Sequence, residues 1–220
     1  MKLKAVIFDL DQTLVATQEL IIAAFNHVLA HYAKKELLPE QIKAAFGPTE
    51  EGMLKGLLGT RYRAEALEDF YRYYQANLSR APVYLGIKPA LTLLSSHRVG
   101  RGIFTGKGNR STLTTLAAAK LLDSFEVIVT GDNVTQPKPN PEGLLKAMAA
   151  LKSDTERTLS VGDASADFAA AKEIGVRCWG AYWGVPEPQA FHQSLSVQPD
   201  RFFTKVADFH QALLKAISKL

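Results

Sequence analysis

Apolar and polar positions along the chain follow two different patterns, one before and one after Pro82. Between about residues 15 and 80, apolar residues recur at helical spacing, as in the run from Leu20 to Leu29, and no strand pattern interrupts them. After Pro82, short apolar runs alternate with helical patterns. That alternation is typical of a mostly parallel sheet covered by helices on both faces. The pattern therefore predicts a helical bundle beside an α/β unit.

The first apolar run, residues 3–8, has the same buried character as the later predicted strands, which are residues 99–104, 126–129, 158–161, 176–182 and 202–203. We therefore expect an α/β fold with a discontinuous, Rossmann-like core of residues 1–14 and 82–220. Residues 15–81 would form an inserted α-helical bundle, or cap. An insert that leaves the carboxyl end of a strand lies over the place where such sheets bind ligands, so the cap is a candidate lid.

Composition narrows the class of protein only slightly. The chain has 220 residues, 47% hydrophobic and 22% charged, with a net charge of +4 spread along its length. We expect a mixed solvated surface that binds no nucleic acid. No apolar run approaches the ~20 residues that span a bilayer, so we expect no membrane partner. The single cysteine, Cys178, and the lack of a signal-peptide pattern favour a cytoplasmic protein. We expect a monomer or a homodimer, and the sequence does not choose between them.

Two pairs of acids follow predicted strands. Asp9 and Asp11 end the first run in the stretch FDLDQTL, while Asp163 and Asp167 follow the strand in SVGDASAD. If both strands are central and parallel, these carboxylates meet at one edge of the sheet and need a cation to ionise together. Oxygen ligands favour Mg²⁺. The alternative is that the acids cap helices and turns, where Asp is common, but two pairs at two strand ends favour the metal.

Two further segments suggest a phosphate ligand. In GIFTGKGN, a strand ends at Thr105, Gly106 and Lys107, whose hydroxyl and backbone N–H groups can cradle a phosphate. The segment lacks the spacing of a Walker A loop. In QPKPNPE, Lys138 lies between two prolines, which can aim its ammonium group at a phosphoryl group. A solvated loop lysine is the alternative interpretation.

Together these residues resemble the haloacid dehalogenase superfamily. FDLDQTL, the threonine of IFTGK, the lysine of KPNP and VGDASAD fall in the order of its four motifs, across nearly the whole chain. The helical insert after the first motif is similar to the small cap of the phosphoglycolate phosphatase-like branch. The resemblance implies a Mg²⁺-dependent phosphatase that hydrolyses a small phosphorylated metabolite, phosphoglycolate-like or sugar-phosphate-like, through an aspartyl-phosphate.

The resemblance also implies a role for each matched residue. Asp9 would be the nucleophile, and Asp11 would protonate the leaving oxygen and then activate water. Thr105 and Lys138 would hold the transferring phosphoryl group, together with Gly106. The Mg²⁺ ligands would be Asp9, the backbone carbonyl of Asp11, and Asp163. Asp167 would either bind the metal or lie next to the ligands without binding it. An acid at position 11 favours transfer from oxygen esters over dehalogenation.

The cap and the departures from the family pattern leave alternatives open. We expect the turn that contains Gly47 and Thr49 to face the aspartates and contact substrate, although a plain interhelix turn is almost equally compatible with the pattern. Gln12 replaces a usual glycine, Ala16-Thr17 a frequent Asp-Ser pair, and Gly106 a frequent asparagine. A sugar-phosphate mutase of the same superfamily and a non-catalytic phospho-ligand-binding protein are the alternative functions.

Overall fold

The computed structural model of the protein describes residues 2–218. These residues contain a single six-stranded sheet. The strands are β1 (Ala5–Phe8), β2 (Gly100–Phe104), β3 (Val127–Val129), β4 (Thr158–Gly162), β5 (Arg177–Ala181) and β6 (Arg201–Phe203). All neighbours are parallel, in the order β3-β2-β1-β4-β5-β6. The first strand therefore lies in the middle of the sheet, between two strands that come much later in the chain.

Ten α-helices accompany the sheet in the described part of the chain. They are α1 (Gln18–Ala33), α2 (Pro39–Lys43), α3 (Glu50–Leu58), α4 (Ala64–Ala76), α5 (Ile87–Ser96), α6 (Asn109–Ala119), α7 (Glu142–Ala150), α8 (Ser165–Glu173), α9 (Pro188–Ser194) and α10 (Val206–Ser218). Short 3-10 helices lie at Gly59–Arg61, Leu78–Arg80, Leu122–Ser124 and Gly131–Asn133. None of the helices in residues 2–218 has the length and apolar character needed to cross a bilayer.

Strand β1 shows why the sheet is covered on both faces. Its side chains point alternately to opposite faces, so Val6 and Phe8 join an apolar cluster that includes residues of α5 and α10, while Ile7 joins another with residues of α7 and α8. A strand buried on both faces needs apolar residues at every position. The predicted α/β fold with helices on both faces is confirmed. The strand begins at Ala5 rather than at residue 3, because pairing starts at the Ala5–Gly100 register.

Helices α1 to α4 pack around an apolar cluster of their own. Its members include Phe25, Leu54, Phe70 and Tyr74, all nearly inaccessible to solvent. We call this group of helices the cap, as predicted from residues 15–81, and those boundaries stay a prediction. The helical pattern expected from residue 15 starts only at Gln18.

The chain enters and leaves the cap through two adjacent segments that are bonded to each other. Val15 forms an antiparallel bridge with Val83, and the Ala16 N–H donates to the Pro82 carbonyl at 2.9 Å. The Tyr84 N–H donates to the Leu14 carbonyl at 3.1 Å. These bonds hold Val15 and Ala16 extended, which explains the late start of α1. The cap is thus tied to the core by a two-stranded connection next to the end of β1.

Candidate active site

Three predicted site residues follow directly from three adjacent central strands. Asp9 comes after β1, Thr105 after β2 and Asp163 after β4. The Asp9 N–H donates to the Val161 carbonyl at 2.8 Å, and the Thr105 N–H donates to the Val129 carbonyl at 3.0 Å, so both backbones continue the sheet pairing. The strand connections reverse direction at β1, which is where open parallel sheets bind ligands. The residues predicted to converge do so at this edge.

A cluster of three carboxylates lies at this edge. Asp9, Asp163 and Asp167 each offer one oxygen, and these oxygens all lie within 4.8 Å of one another. Gly162 makes room for the cluster, because a Cβ at that position would lie 2.4 Å from the Asp167 carboxyl carbon. Partly buried carboxylate oxygens at this spacing fit a hard divalent cation such as Mg²⁺. The cluster is thus a candidate metal site.

Burial and mutual repulsion make these acids hard to ionise without a cation. Burial raises the pKa of Asp9 to about 7; Lys138 opposes that shift, while Asp167 and Asp11 add to it. Burial also raises the pKa of Asp163 well above its usual value, and the charges of Asp9 and Asp167 add to the effect. A bound cation would offset both effects.

Lys138 joins two of the three acids. Its Nζ donates to Asp9 Oδ1 at 2.7 Å and also to Asp167 Oδ1, and it lies 4.7 Å from the centre of the Phe104 ring. Burial alone would lower its pKa, but the charges of Asp167 and Asp9 outweigh burial and raise it, so the ammonium group stays charged. A fixed cation beside the Asp9 carboxylate is suited to offset the charge of a phosphoryl group.

Asp11 is held apart from the three-carboxylate cluster. One carboxylate oxygen accepts a hydrogen bond from Thr17 Oγ1 at 2.6 Å, and the other lies 3.4 Å from Lys107 Nζ. Thr17 is the residue that precedes α1, so the contact joins the end of β1 to the start of the cap. The side chain of Asp11 is thus poised beside the cluster, and its proposed metal contact through the backbone carbonyl stays a prediction.

The loop after β2, which contains Thr105 to Lys107, lines the site. Thr105 is buried, and its Oγ1 accepts a hydrogen bond from the Lys107 N–H at 3.3 Å. Gly106 faces the cap, because a Cβ there would lie 3.5 Å from the Gly47 carbonyl oxygen. On the other side, a Cβ at Gly131 would lie 2.4 Å from the Gly106 carbonyl oxygen. The loop therefore fits tightly between the cap turn and the segment after β3.

Glu50 and Lys107 form a contact that the sequence patterns did not indicate. Glu50, the first residue of α3, places Oε1 3.7 Å from Lys107 Nζ, and its Oε2 accepts a hydrogen bond from the Gly108 N–H at 2.9 Å. Lys107 Nζ also lies 4.6 Å from the centre of the Tyr74 ring. Burial alone would lower the Lys107 pKa, but the charge of Asp11, with that of Glu50, outweighs burial and raises it. The cap thus reaches the core through a buried acid.

Gln12, the residue that departs from the family glycine, has a defined place. It adopts a left-handed backbone conformation with a φ of 59°, the kind of conformation that glycine adopts without strain. Its side-chain amide donates to the Tyr84 hydroxyl at 3.2 Å and accepts from the Gln18 N–H at 3.0 Å. The side chain therefore bridges the two segments that connect cap and core.

A cavity of about 480 Å³ extends from the carboxylates to the cap. Asp9, Thr105 and Lys138 contribute to its walls, and so do Gly106 and Gly47. The other predicted cap contact, Thr49, places its methyl group beside Gly131, where an added Cβ would lie 2.7 Å from it. Gly47 thus lines the cavity, whereas Thr49 braces the turn against the core, and the contact of this turn with substrate stays a prediction.

The chain matches a protein family and curated relatives along most of its length. The family model of haloacid dehalogenase-like hydrolases matches residues 6–181. The chain is 30% identical to pyrophosphatase PpaX of Anoxybacillus flavithermus, covering 94% of this chain and 95% of that protein. It is 32% identical to the protein named "Probable phosphatase IndB" of Dickeya dadantii, covering 97% and 96%.

A solved structure shares the fold. The protein from Bacteroides fragilis, described as a haloacid dehalogenase-like hydrolase, superposes with a TM-score of 0.73 at 28% identity. The match covers 94% of this chain and 100% of that one. The family match spans both acid pairs, the Thr105 loop and Lys138. The relatives named above indicate a hydrolase that acts on phosphate esters. The family match shows that the chain belongs to the haloacid dehalogenase-like hydrolase family.

Proposed function

We propose that this protein is a Mg²⁺-dependent phosphatase that transfers the phosphoryl group of a small phosphate monoester to Asp9 and then to water. The observation that carries the proposal is the contact between Asp9 and Lys138 at 2.7 Å, beside two further carboxylates and at the base of a cavity. This arrangement combines a nucleophile, a fixed positive charge and a cation site around one point in space.

In the first half of the reaction, a carboxylate oxygen of Asp9 attacks phosphorus, and the bond between phosphorus and the leaving alcohol breaks. Asp11, in its protonated form, supplies the proton that the leaving oxygen needs. Thr105 and Lys138 bind the oxygens of the transferring group and offset their charge. Bound Mg²⁺ would supply charge neutralisation, so that an anionic carboxylate can approach an anionic phosphate.

In the second half, water attacks the phosphorus of the aspartyl-phosphate. The Asp11 carboxylate accepts a proton from that water, the bond between phosphorus and the Asp9 oxygen breaks, and inorganic phosphate and the Asp9 carboxylate are restored. Closure of the cap over Asp9 would support this step by limiting the access of bulk water. The hydrogen bond from Thr17 and the contact with Lys107 orient the Asp11 carboxylate when it is not carrying a proton.

The experiment is hydrolysis of p-nitrophenyl phosphate with and without Mg²⁺, by the wild type and by Asp9→Asn. We expect Mg²⁺-dependent phosphate release that falls by at least ~10³-fold in Asp9→Asn, because the nucleophile is lost. Asp123→Asn changes an exposed aspartate far along the chain and is the matched control. Activity that needs no metal, or that survives in Asp9→Asn, would contradict the proposal. Conversion of a sugar phosphate to its isomer with little phosphate release would favour the mutase alternative.

A further inference from the structure

We infer that the preferred substrate is a phosphate monoester whose alcohol carries an apolar group, such as a benzyl or branched alkyl group. The inference rests on the proposed function and concerns the part of the cavity that lies beyond the phosphoryl group. It differs from the phosphoglycolate-like or sugar-phosphate-like substrate expected from the sequence. The reason is the chemistry of the cavity wall, which comes from both the cap and the core.

The large side chains on the cap side of the cavity are mostly apolar. Ile21 and Phe25 line it from α1, Met53 from α3, and Phe46 from the turn between α2 and α3. The first three side chains belong to the buried core of the cap, so their positions are fixed by packing. Phe46 is 43% exposed, which leaves part of its ring free to contact a ligand. Contact between such a wall and an apolar group of the ligand is favourable, because it removes apolar surface from water.

The core side of the cavity adds two large apolar side chains. Phe191 of α9 and Leu195, the residue after this helix, complete the wall opposite the cap. Phe191 is itself fixed by an edge-on contact with the Tyr182 ring, with ring centres 5.1 Å apart. An alcohol group between the two walls would therefore meet carbon atoms on both sides.

Several polar side chains of the cavity wall already contact other charged or polar groups of the protein. Glu50 and Lys107 face each other, and Lys107 also contacts Asp11. The Gln12 side-chain amide donates to the Tyr84 hydroxyl and accepts from the Gln18 N–H. A sugar or glycolate group would lose hydrogen bonds to water on entry, and Lys107 and Gln12, already engaged with protein groups, replace few of them.

The position of the remaining lysine of the wall, Lys43, fits the same inference. Lys43 is the last residue of α2, and it is exposed. A pyrophosphate bound at Asp9 would carry its second phosphate into the apolar part of the cavity. Lys43 is the lysine on the cap side that could meet it, at a solvated site where charge pairing is weak. A neutral apolar alcohol group needs no such partner.

The test compares two phosphate monoesters whose primary alcohols leave with similar ease, benzyl phosphate and 2-hydroxyethyl phosphate. We expect kcat/KM to be at least ~10-fold higher for benzyl phosphate, because only its ring gains contact with the apolar walls. In Phe46→Ser this ratio should fall several-fold. Leu38→Ser removes another exposed apolar side chain of the cap, which is 60% exposed, and should leave the ratio at its wild-type value.

Calorimetry with the Asp9→Asn variant compares the affinities for the two monoesters without turnover. Tighter binding of benzyl phosphate than of 2-hydroxyethyl phosphate supports the inference. Equal binding, or a kcat/KM ratio near one or in favour of 2-hydroxyethyl phosphate, overturns it while leaving the proposed phosphatase intact. If the wild type hydrolyses no monoester, including p-nitrophenyl phosphate, the proposed function fails and the substrate preference fails with it.

Discussion

Glu50 Oε1 of the cap lies 3.7 Å from Lys107 Nζ of the core, and the two side chains are only 5% and 3% exposed. The second oxygen of Glu50 accepts a hydrogen bond from the backbone N–H of Gly108, next to Lys107. A buried charge without its partner is costly, so each member of the pair stabilises the position of the other. The pair therefore holds the start of α3 against the loop that carries Thr105.

Replacement of Glu50 tests this contact. Glu50→Gln keeps an oxygen that can accept from Gly108 but removes the charge that faces Lys107, so we expect the free energy of unfolding to fall by roughly 1–3 kcal/mol. Glu51→Gln is the matched control, because Glu51 is half-exposed, with Lys55 and the Tyr62 hydroxyl as its partners, and should cost less than about 1 kcal/mol. Chemical denaturation measures both. Equal effects of the two changes would show that the buried pair adds nothing.

The raised pKa of Asp9 predicts how stability depends on pH in the absence of metal. Burial raises this pKa from 3.8 in the unfolded chain to about 7 in the folded protein. Between those values the folded protein binds more protons than the unfolded chain. The stability that Asp9 contributes is therefore fully present below about pH 4 and is lost as the pH rises through about 7. Each proton of difference corresponds to about 1.4 kcal/mol per pH unit.

Thermal unfolding in EDTA from pH 5 to pH 8 measures this effect. Asp9→Asn should flatten the profile, since its amide does not titrate, although the raised pKa of Asp163 leaves a remaining slope in the same direction. Mg²⁺ should raise the melting temperature most at pH 8, where the carboxylates are ionised. A metal-free wild type that becomes steadily more stable from pH 5 to pH 8 would contradict the prediction.

Gln12 combines an unfavourable backbone conformation with a favourable side-chain bridge, and two substitutions separate them. Gln12→Gly and Gln12→Ala both lose the contacts with Tyr84 and Gln18, but only glycine relieves the positive φ. We expect the alanine variant to be less stable than the glycine variant by roughly 1 kcal/mol. Equal stability of the two variants in urea unfolding would mean that the backbone at this position relaxes.

Gly162 is expected to be essential for the geometry of the carboxylate cluster. A Cβ at this position would lie 2.4 Å from the Asp167 carboxyl carbon, so Gly162→Ala must displace Asp167 and with it the hydrogen bond from Lys138. We expect apparent Mg²⁺ affinity to fall by about 10-fold or more, as for other changes to groups around a metal. Gly56→Ala is the control, because no atom outside its own helix lies within 4 Å of the added methyl group. Activity titrated against Mg²⁺ compares them.

The sequence predicted the fold well because the relevant signals are local. A strand such as β1 is apolar at every position, and the acids that follow β1 and β4 mark the ends of those strands. Since parallel strands bring their carboxyl ends to one edge, Asp9 and Asp163 could be placed together once β1 and β4 were taken as central. The family and the α/β fold are confirmed, while the catalytic roles and the metal ligands stay predictions.

The contacts that the sequence did not reveal join residues that are distant along the chain. Glu50 looks like an ordinary acid in the first turn of a helix, a position where acids are common, and nothing beside it indicates Lys107. Gln12 shows only that the turn tolerates a side chain; its partner Tyr84 lies beyond the whole cap. Partners of this kind depend on how the cap sits on the core, which no local pattern encodes.

The central position of β1 has a consequence for synthesis of the chain. This strand is made first, yet its two neighbours, β2 and β4, begin only at Gly100 and Thr158. The cap helices lie between them and make mostly contacts with one another, so they can fold while the ribosome is still translating the core. We therefore expect a nascent intermediate in which a folded cap follows an unpaired apolar strand, the form of this chain with the greatest tendency to aggregate.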